Sequence, residues 1–335
     1  MTERMTPRQM MKGLLQGIPL SRPLILPIVF ALGAKIENLS LRAFLDNPTK
    51  ISNAIRQIRA HLRVDGVSCY FDPYLELHAL GVLPEWDSAN QTRTLVWPEG
   101  AHKDKLPSGL RSPENAATAP RVKIAVEVIR RLNTLVRDEP LLLAGVTGPF
   151  TLAARLTQLD TGELQCGSKP SEAALEIAAA TITKIAAAMV EAGANVIFIR
   201  EELLPPLTHE NVQTWASLLG SVFNIVRFYE ALPVLQFGTK AAMPSNLELI
   251  LQERLDVTIC VPAISEAIRA AAKFTDSPLG IALPPALLEA NGTSGGIHAE
   301  IRNLKLALFT TDGDVPVTTD LKRLMKTFES ISRPT

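Results

Sequence analysis

The chain has 335 residues, of which 47% are hydrophobic and 20% are charged, and its formal net charge at pH 7 is zero. The hydrophobic share is enough for a large core, and α/β barrels of this length often form a single domain. The balanced charge argues against nucleic acid as the main partner, because phosphate binding needs a basic excess or a basic face.

The cysteines and the amino terminus narrow the class of protein further. Cys69, Cys166 and Cys260 are far apart and form no CxxC pair, so they predict neither a zinc knuckle nor a disulfide framework. The first residues lack the hydrophobic segment of a signal peptide. We find no apolar run that reaches the roughly 18 residues of a membrane span. We therefore expect a cytoplasmic protein without membrane contact.

Eight short apolar runs follow one another along the chain, and each predicts a buried parallel strand. The runs are 24–30, 66–71, 140–146, 195–199, 233–237, 256–261, 278–283 and 305–310. The helical patterns between them are 48–63, 171–192, 208–230, 244–254, 263–273 and 318–330. Strand–helix alternation repeated eight times predicts a (β/α)₈ TIM barrel, with a doubly wound open sheet as the alternative.

Residues 84–120 interrupt this alternation. They are rich in proline, glycine, asparagine and charged residues, with a short strand predicted at 92–97. A connection of this length in a compact domain is usually a functional lid or a disordered segment. We predict one domain over residues 1–335, with 84–120 as a lid insertion.

Active sites of barrel enzymes lie at the carboxyl ends of the strands, and that rule selects the candidate residues. The charged residues at these positions are Asp72, Glu76, Arg200, Glu201, Lys240, Asp312 and Asp314. Grouped carboxylates with an arginine and a lysine suit a polar or anionic substrate, and close carboxylates can supply a general acid. The alternative is that some of them pair with each other and tie the strand ends together.

Roles follow from residue type and position. The predicted catalytic residues are Asp72, Glu76, His78 and Glu201. The predicted substrate-binding residues are Tyr70, Tyr74, Arg200, Gln236, Lys240, Asp312 and Asp314. Arg200 directly follows an apolar strand and is well placed to hold a carboxylate with its forked guanidinium. His78 is either a base or a helix-surface residue. Tyr70 and Tyr74 flank Asp72, where their hydroxyls either orient its carboxylate or simply pack.

Four segments together resemble one known family. Residues 22–81, 143–156, 191–202 and 313–325 are similar, in order and spacing, to the uroporphyrinogen decarboxylase superfamily. In particular they resemble its corrinoid-dependent, coenzyme M-type methyltransferase branch. The resemblance extends over about residues 2–330 and implies the same (β/α)₈ barrel.

The chain departs from this family at its known functional positions. Residues 30–34, Phe-Ala-Leu-Gly-Ala, stand where the decarboxylases have an arginine-rich loop for substrate carboxylates. Asp72 matches the aspartate that contacts the pyrrole nitrogens there. The zinc-ligand positions of the methyltransferases correspond to Leu235, Phe237 and Gly313, which offer no ligand. The resemblance therefore implies neither uroporphyrinogen decarboxylation nor a zinc site.

Three functions remain open at the level of sequence. The first is metal-free methyl (one-carbon) transfer between a small substrate and a corrinoid or tetrahydrofolate-type carrier, with Glu76, Glu201 or His78 deprotonating the acceptor. The second is decarboxylation of a small carboxylated or porphyrin-like substrate, anchored by Arg200 or Lys240 and protonated by Asp72 or a tyrosine. The third is a non-catalytic accessory subunit of a methyltransferase system. The expected partners are the small substrate, a corrinoid or methyl-carrier protein, and a second copy of the chain in a homodimer.

Overall fold

The chain folds around a barrel of eight parallel strands. A computed structural model describes residues 5–97, 105–136, 140–165, 168–253, 255–274, 278–284 and 304–332. Its strands are β1 Leu24–Ile25, β2 Gly66–Tyr70, β3 Glu85–Trp86, β4 Arg93–Thr94, β5 Leu141–Thr147, β6 Val196–Glu201, β7 Leu232–Phe237, β8 Thr258–Pro262, β9 Leu279–Leu283 and β10 Leu306–Thr311. The order around the barrel is β1-β10-β9-β8-β7-β6-β5-β2, which confirms the predicted barrel over the open sheet.

Helices alternate with these strands and cover the outside of the barrel. They are α1 Pro7–Leu15, α2 Leu32–Ile36, α3 Leu41–Leu45, α4 Pro48–His61, α5 Leu75–Ala79, α6 Pro120–Val136, α7 Pro149–Leu156, α8 Thr161–Gln165, α9 Glu172–Glu191, α10 His209–Phe228, α11 Pro244–Gln252, α12 Ser265–Ala271 and α13 Leu321–Ser332. The barrel strands are buried along almost their whole length, as expected of parallel strands with helices outside and a packed interior.

The first strand is much shorter than the predicted run 24–30, and Pro27 explains the difference. Proline has no N–H to donate to a strand ladder. Beyond it, the amide of Ile28 donates to Thr311 Oγ1 at 3.0 Å and that of Val29 to Ser68 Oγ at 3.3 Å. The Ser68 hydroxyl in turn donates to the Pro27 carbonyl at 3.1 Å. Side chains thus replace the backbone ladder where β1 meets β2.

Helix α9 is long and apolar enough, by length and composition, to cross a membrane. Half of its most apolar window is buried within the fold. Leu175, Ile182, Ile185 and Met189 lie on its buried side at helical spacing. It packs against α7 and α10, as a core helix of a barrel does.

The segment 84–120 contains an antiparallel hairpin, β3 with β4, and a 3-10 helix at Pro113–Thr118 that packs against α9. Residues 98–104 of this segment, like Cys166, lie outside the described residues. The strand predicted at 92–97 appears as Arg93–Thr94. Closure of the segment as a lid stays a prediction.

Candidate active site

The carboxyl ends of β5 to β8 bring four polar side chains to the barrel mouth. Thr147 pairs with Arg200, Arg200 with Gln236, and Gln236 with Cys260 in direct register. Residues directly opposite each other in a parallel sheet point to the same face. The Gln236 amide crosses two intervening strands to reach the Thr311 carbonyl on β10 at 2.8 Å. The four side chains therefore point into the barrel.

Phe71 forms an aromatic floor for Arg200, and Gly145 makes the room for it. Gly145 lies two residues before Thr147 on β5 and so faces the same interior. A Cβ added at Gly145 would overlap the Phe71 ring. The Arg200 guanidinium lies 5.3 Å from the centre of that ring, which is the geometry of a cation–π contact. The aromatic face thus sets the plane in which the guanidinium lies.

Acidic and basic side chains hold Arg200 from one edge. Its Nη1 is 3.0 Å from Glu202 Oε1, and the Arg200 side chain is 12% exposed. Glu202 also pairs with Arg155, whose Nη1 donates to the Pro73 carbonyl at 2.8 Å. Nε of Arg200 is buried and has no hydrogen-bond partner among the described residues. Within the described residues, Nη1 is the guanidinium nitrogen that makes the ion pair.

Asp312 enters the same mouth from the end of β10. Its Oδ2 accepts a hydrogen bond from the Thr239 hydroxyl at 2.8 Å. Burial raises the pKa of Asp312, while Thr239 and the positive charge of Arg200 oppose this shift. Burial and the nearby Asp312 also raise the pKa of Cys260, so its thiol stays protonated at neutral pH. Asp312 is therefore a carboxyl group beside Arg200 that can exchange a proton.

A cleft opens between the ends of β2, β5 and β6. It has an empty volume of about 270 Å³, counted to its open mouth. Phe71 and Pro73 line it from β2, Thr147 from β5, and Arg200 and Glu202 from β6. The space within it that a water molecule can occupy is about 10 Å³, which is room for about one water.

Asp72 also borders the cleft, but two arginines already occupy its carboxylate. Arg93 Nη2 lies 2.7 Å from one oxygen and Arg121 Nη1 lies 3.2 Å from the other. The amide of Tyr74 donates to the first oxygen at 3.0 Å. Burial raises the pKa of Asp72, but the two arginines outweigh burial and the pKa is lowered. Asp72 is therefore a fixed anion rather than a proton donor.

Arg93 and Arg121 were not among the residues predicted from the sequence, although both contact the carboxylate of Asp72. Arg93 comes from the hairpin in the predicted insertion, and its guanidinium lies between the rings of Tyr74 and Trp86, at 4.5 and 5.0 Å. Arg121 begins α6 and also binds Asp46 at 2.9 Å. No sequence pattern near Asp72 indicates that Arg93 or Arg121 binds its carboxylate.

The tyrosines and the histidine near Asp72 lie in less reactive surroundings than expected. Tyr70 is fully buried and donates its hydroxyl to the Leu45 carbonyl at 3.3 Å. Tyr74 donates its hydroxyl to the Arg93 carbonyl at 3.2 Å. The two arginines, rather than these hydroxyls, therefore orient the Asp72 carboxylate. Burial and the charge of Arg121 lower the pKa of the half-buried His78, so the ring is neutral at pH 7.

Glu76 and Glu201 are buried carboxylates bonded by the protein itself. Glu76 accepts from the amide and hydroxyl of Thr147, at 2.9 and 2.8 Å, and burial raises its pKa. Glu201 accepts from the amides of Phe150 and Thr151, from the Thr151 hydroxyl at 2.6 Å and from the Trp215 indole at 2.9 Å. Burial raises the pKa of Glu201 to about 7, and these donors oppose it. Protonation of Glu201 would have to break one of these four bonds.

Local sequence explains why Glu201 meets this set of donors. Pro149 occupies the first turn of α7, where the missing proline N–H costs nothing. The amides of the next two residues stay unpaired within the helix and point outward, and a carboxylate is the natural partner for them. A Cβ at Gly148 would overlap the Glu201 side chain, so glycine lets the carboxylate approach. Glu201 therefore fastens α7 to the end of β6.

Asp314 and Lys240 do not line the cleft. Asp314 accepts hydrogen bonds from the amides of Phe30 and Ala31, both at 2.7 Å. Burial raises the pKa of Asp314 to about 7, against these two bonds. The stretch after β1 thus binds the protein's own carboxylate where decarboxylases use arginines for the substrate. Lys240 is exposed in the turn after β7. Its role in substrate binding stays a prediction.

The barrel mouth does not fit a zinc ion at the family's positions. Leu235 and Phe237 are buried apolar side chains on β7, and Gly313 has no side chain. Within the described ranges, no three His, Cys, Asp or Glu residues converge in a way that would hold a metal. We derive no step through a metal for this site.

The family model for uroporphyrinogen decarboxylase (URO-D) matches residues 6–279. The chain belongs to the uroporphyrinogen decarboxylase family. No curated protein matches it.

Solved structures agree with this family at the level of the fold. A methyltransferase from Methanosarcina mazei superposes with a TM-score of 0.76 at 17% identity, covering 98% of each chain. The homocysteine methyltransferase MmuM of Escherichia coli, in its apo form, has a TM-score of 0.48 at 9% identity, covering 92% of this chain and 96% of its own. The Methanosarcina structure thus shares the fold of this chain, while the residues at the mouth of the barrel decide the chemistry.

Proposed function

We propose that this chain is an enzyme that binds a small carboxylated substrate at Arg200 and transfers a methyl (one-carbon) group to it. The methyl donor is a second substrate, a corrinoid or tetrahydrofolate-type carrier, brought by a methyl-carrier protein. We place the enzyme in the cytoplasm. The observation that carries the proposal is the Arg200 guanidinium, which lines the cleft and belongs to a side chain that is 12% exposed.

The guanidinium of Arg200 is arranged to receive a carboxylate. Glu202 holds Nη1, while the buried Nε has no acceptor among the described residues. A buried N–H without an acceptor costs roughly 1–3 kcal/mol. Two parallel N–H···O bonds from one edge of a guanidinium are the standard way in which arginine binds a carboxylate. A carboxylate in the cleft would therefore meet the part of the Arg200 guanidinium that is exposed there.

The state of Asp72 argues against a tetrapyrrole substrate. Asp72, which matches the family residue for pyrrole nitrogens, already binds Arg93 and Arg121. A pyrrole N–H would have to displace an arginine from it. We therefore do not propose uroporphyrinogen as the substrate.

Methyl transfer requires an acceptor that has lost its proton. Asp312 is the best-placed group to take that proton, because its pKa is raised and it lies in the same mouth as Arg200. In the transfer, the bond from the methyl carbon to the carrier breaks and a bond to the acceptor atom forms, while the acceptor's proton passes to Asp312. Membership of the uroporphyrinogen decarboxylase family supports an enzyme, and the likeness in fold to a methyltransferase from Methanosarcina mazei supports this choice of reaction.

Decarboxylation is the second candidate, and the raised pKa of Asp312 is the observation in its favour. A protonated Asp312 can deliver the proton that the carbanion needs after carbon dioxide leaves. The carboxylate on Arg200 is not the one that would leave, since a guanidinium stabilises that group in the ground state. A second carboxyl group on the substrate would be required, which is why this candidate ranks below methyl transfer.

The test uses small carboxylic acids with methyl-labelled carriers. Wild-type protein is incubated with ¹³C-methylcobalamin or ¹³C-methyltetrahydrofolate and each acid, and the product is read by ¹³C NMR. The same acids with ¹³C-labelled carboxyl groups report carbon dioxide release. A new labelled methyl signal supports methyl transfer, whereas labelled carbon dioxide would replace it by decarboxylation. Binding of acids without either product would sink the enzyme proposal and favour an accessory subunit.

The role of Arg200 is tested by binding alone. We expect Arg200→Gln to weaken the binding of small acids about 100-fold, from the loss of a bidentate charged contact. Arg200→Lys keeps the charge but not the fork and should fall between the two. The matched control is Arg63→Gln, an exposed arginine just before β2, at the opposite end of the barrel. Equal affinity in wild type and Arg200→Gln would rule out Arg200 as the carboxylate site.

A further inference from the structure

Arg200 shares its acidic partner with a second arginine. Glu202 Oε1 lies 3.0 Å from Arg200 Nη1, and Glu202 Oε2 lies 2.5 Å from Arg155 Nη2. Glu202 lines the cleft with a side chain that is 33% exposed, whereas the side chains of Arg155 and Arg200 are 18% and 12% exposed. Arginine stays protonated in proteins, so two guanidinium groups face one carboxylate. One positive charge is therefore left over at this wall of the cleft.

Helix α7 holds Arg155 against two walls of the cleft. Arg155 lies in the last turn of α7, and its Nη1 donates to the Pro73 carbonyl at 2.8 Å. Pro73 lines the cleft at the end of β2. One turn earlier in the helix, Thr151 Oγ1 accepts a hydrogen bond from the Glu202 amide at 2.8 Å. The same helix therefore positions both Arg155 and the carboxylate that it pairs with.

The charges around Asp72 leave no surplus on the other side of the cleft. Asp72 pairs with Arg93 and Arg121, and Arg121 also pairs with Asp46. Two carboxylates there face two guanidinium groups. Among the described residues that contact the cleft lining, the surplus cation therefore comes from the group of Arg155, Glu202 and Arg200.

Arg155 decides how much of the Arg200 charge a ligand would meet. Without Arg155, Glu202 would pair with Arg200 alone among the described residues. Arg200 also lies close enough to Asp312 for its charge to oppose the rise in the pKa of that carboxyl group. An incoming anion would then meet a guanidinium whose charge is already offset by acidic groups. Complementary charge favours the binding of an anion only where a net positive charge remains.

We infer that Arg155 is a positioning residue for the carboxylated substrate, because it shares the charge of Glu202 and thereby keeps the Arg200 guanidinium available to the ligand. The inference rests on the proposed carboxylate site at Arg200 and adds a residue to it. Arg155 does not itself line the cleft. It acts on the ligand through Glu202.

The test is a protein-observed NMR titration with formate, the smallest carboxylate, and with formamide, its uncharged analogue of similar size. Backbone amide resonances of Thr147, Arg200 and Glu202 in ¹⁵N-labelled protein report binding. Arg155→Gln should weaken formate binding about 3- to 10-fold, since solvent screens part of the charge, and should leave formamide binding unchanged. Arg155→Lys keeps the charge and should bind formate as wild type does.

A double variant distinguishes this role from a purely structural one. Adding Glu202→Gln to Arg155→Gln should restore formate affinity, because Arg200 then keeps its charge without a paired acid. If Arg155 only holds Pro73 in place, removing Glu202 as well cannot restore binding. A double variant that binds formate as weakly as Arg155→Gln would overturn the inference. Equal losses of formate and formamide binding in Arg155→Gln would overturn it too.

The outcomes separate this inference from the proposed function. Formate binding that disappears in Arg200→Gln supports the carboxylate site, whatever the result at Arg155. Unchanged formate affinity in Arg155→Gln would then overturn the inference alone, whereas wild type that binds no formate would overturn both. If Arg155→Gln does not fold, Glu202→Gln decides. Tighter formate binding by that variant supports the inference, and unchanged or weaker binding would contradict it.

Discussion

The barrel mouth contains two groups of polar side chains that look alike in the sequence and differ in their surroundings. The anchored group is Asp72, Glu76 and Glu201, whose carboxylate oxygens all accept bonds from the protein. The open group is Arg200, Gln236 and Asp312. In it, Arg200 and Gln236 each keep a buried polar atom without a described partner, and Asp312 keeps a raised pKa.

The difference shows that proximity to the strand ends does not by itself make a residue functional. A carboxylate that already accepts two to four protein donors has no position left for a ligand. Arg200, in contrast, lines the cleft, and its side chain is 12% exposed. The anchored group should therefore control stability and the open group should control binding.

The largest effect on stability is expected for Asp72→Ala. Removing the carboxylate leaves Arg93 and Arg121 as buried charges facing each other. Breaking one side of a buried ion pair costs about 3–5 kcal/mol in the free energy of unfolding. Guanidinium denaturation at pH 7 measures this loss. The matched control is Asp46→Ala, because Asp46 pairs with the same Arg121 but is half exposed, and it should cost less than about 1 kcal/mol.

The contribution of Asp72 also has a defined pH dependence. Its pKa in the folded protein lies below the ordinary value of 3.8. A lowered pKa means that the stabilisation is complete above the unfolded-state value and is lost as the pH falls through the folded-state value. The gap between wild type and Asp72→Ala should stay constant at neutral pH and narrow only below pH 3.8. A gap that narrows already near pH 6 would contradict the anchored state of Asp72.

A smaller loss, about 3 kcal/mol, is expected for Glu201→Ala, because it strips two amides, a hydroxyl and the Trp215 indole of their acceptor. Urea denaturation measures the change. Glu201→Gln keeps one acceptor oxygen and nearly the same volume, so its loss should be smaller. If the alanine variant is as stable as wild type, the hydrogen bonds of Glu201 do not hold α7 in place, and Glu201 does not belong to the anchored group.

The smallest stability effect, about 1–3 kcal/mol, is expected for Gly145→Ala, because the new methyl group overlaps the Phe71 ring and overpacks the interior. Gly145→Ala should also affect ligand binding, because the Arg200 guanidinium lies over the Phe71 ring. The affinity for small acids should fall along with stability. Adding Phe71→Leu should restore stability but not affinity, and recovery of both would show that the ring does not position Arg200.

Most of the fold was predictable because buried parallel strands read as continuous apolar runs. All eight runs became barrel strands, and the helix predicted at 171–192 became Glu172–Glu191. The first strand was too long in the prediction because its apolar run continues through Pro27, which cannot join a ladder. Helix α6 was missed because it directly follows the irregular segment, where the alternation gave no boundary.

The site was predictable only as a set of strand-end residues. Arg200, Gln236 and Asp312 do share the barrel mouth, as the rule for barrel enzymes implies. The sequence does not distinguish them from the anchored group, because the anchored carboxylates bind donors that are far away along the chain. Arg121, for example, is 49 residues from Asp72. Trp215 reaches Glu201 from α10. No local pattern marks such pairs, because they form only when the barrel closes.

Side-chain hydrogen bonds, rather than a backbone ladder, join β1 to β2, and we call this contact the seam of the barrel. A complete ring of hydrogen-bonded strands has no free end, so no strand can slide past its neighbour without breaking the whole ladder. Among the described residues, Asp65 and Ser68 make the hydrogen bonds between the two strands, through the Ile25 amide and carbonyl and the groups around Pro27. Two residues fix a position but do not enforce a repeating register. Seven of the eight contacts between neighbouring barrel strands are backbone ladders, and this one relies mainly on side chains.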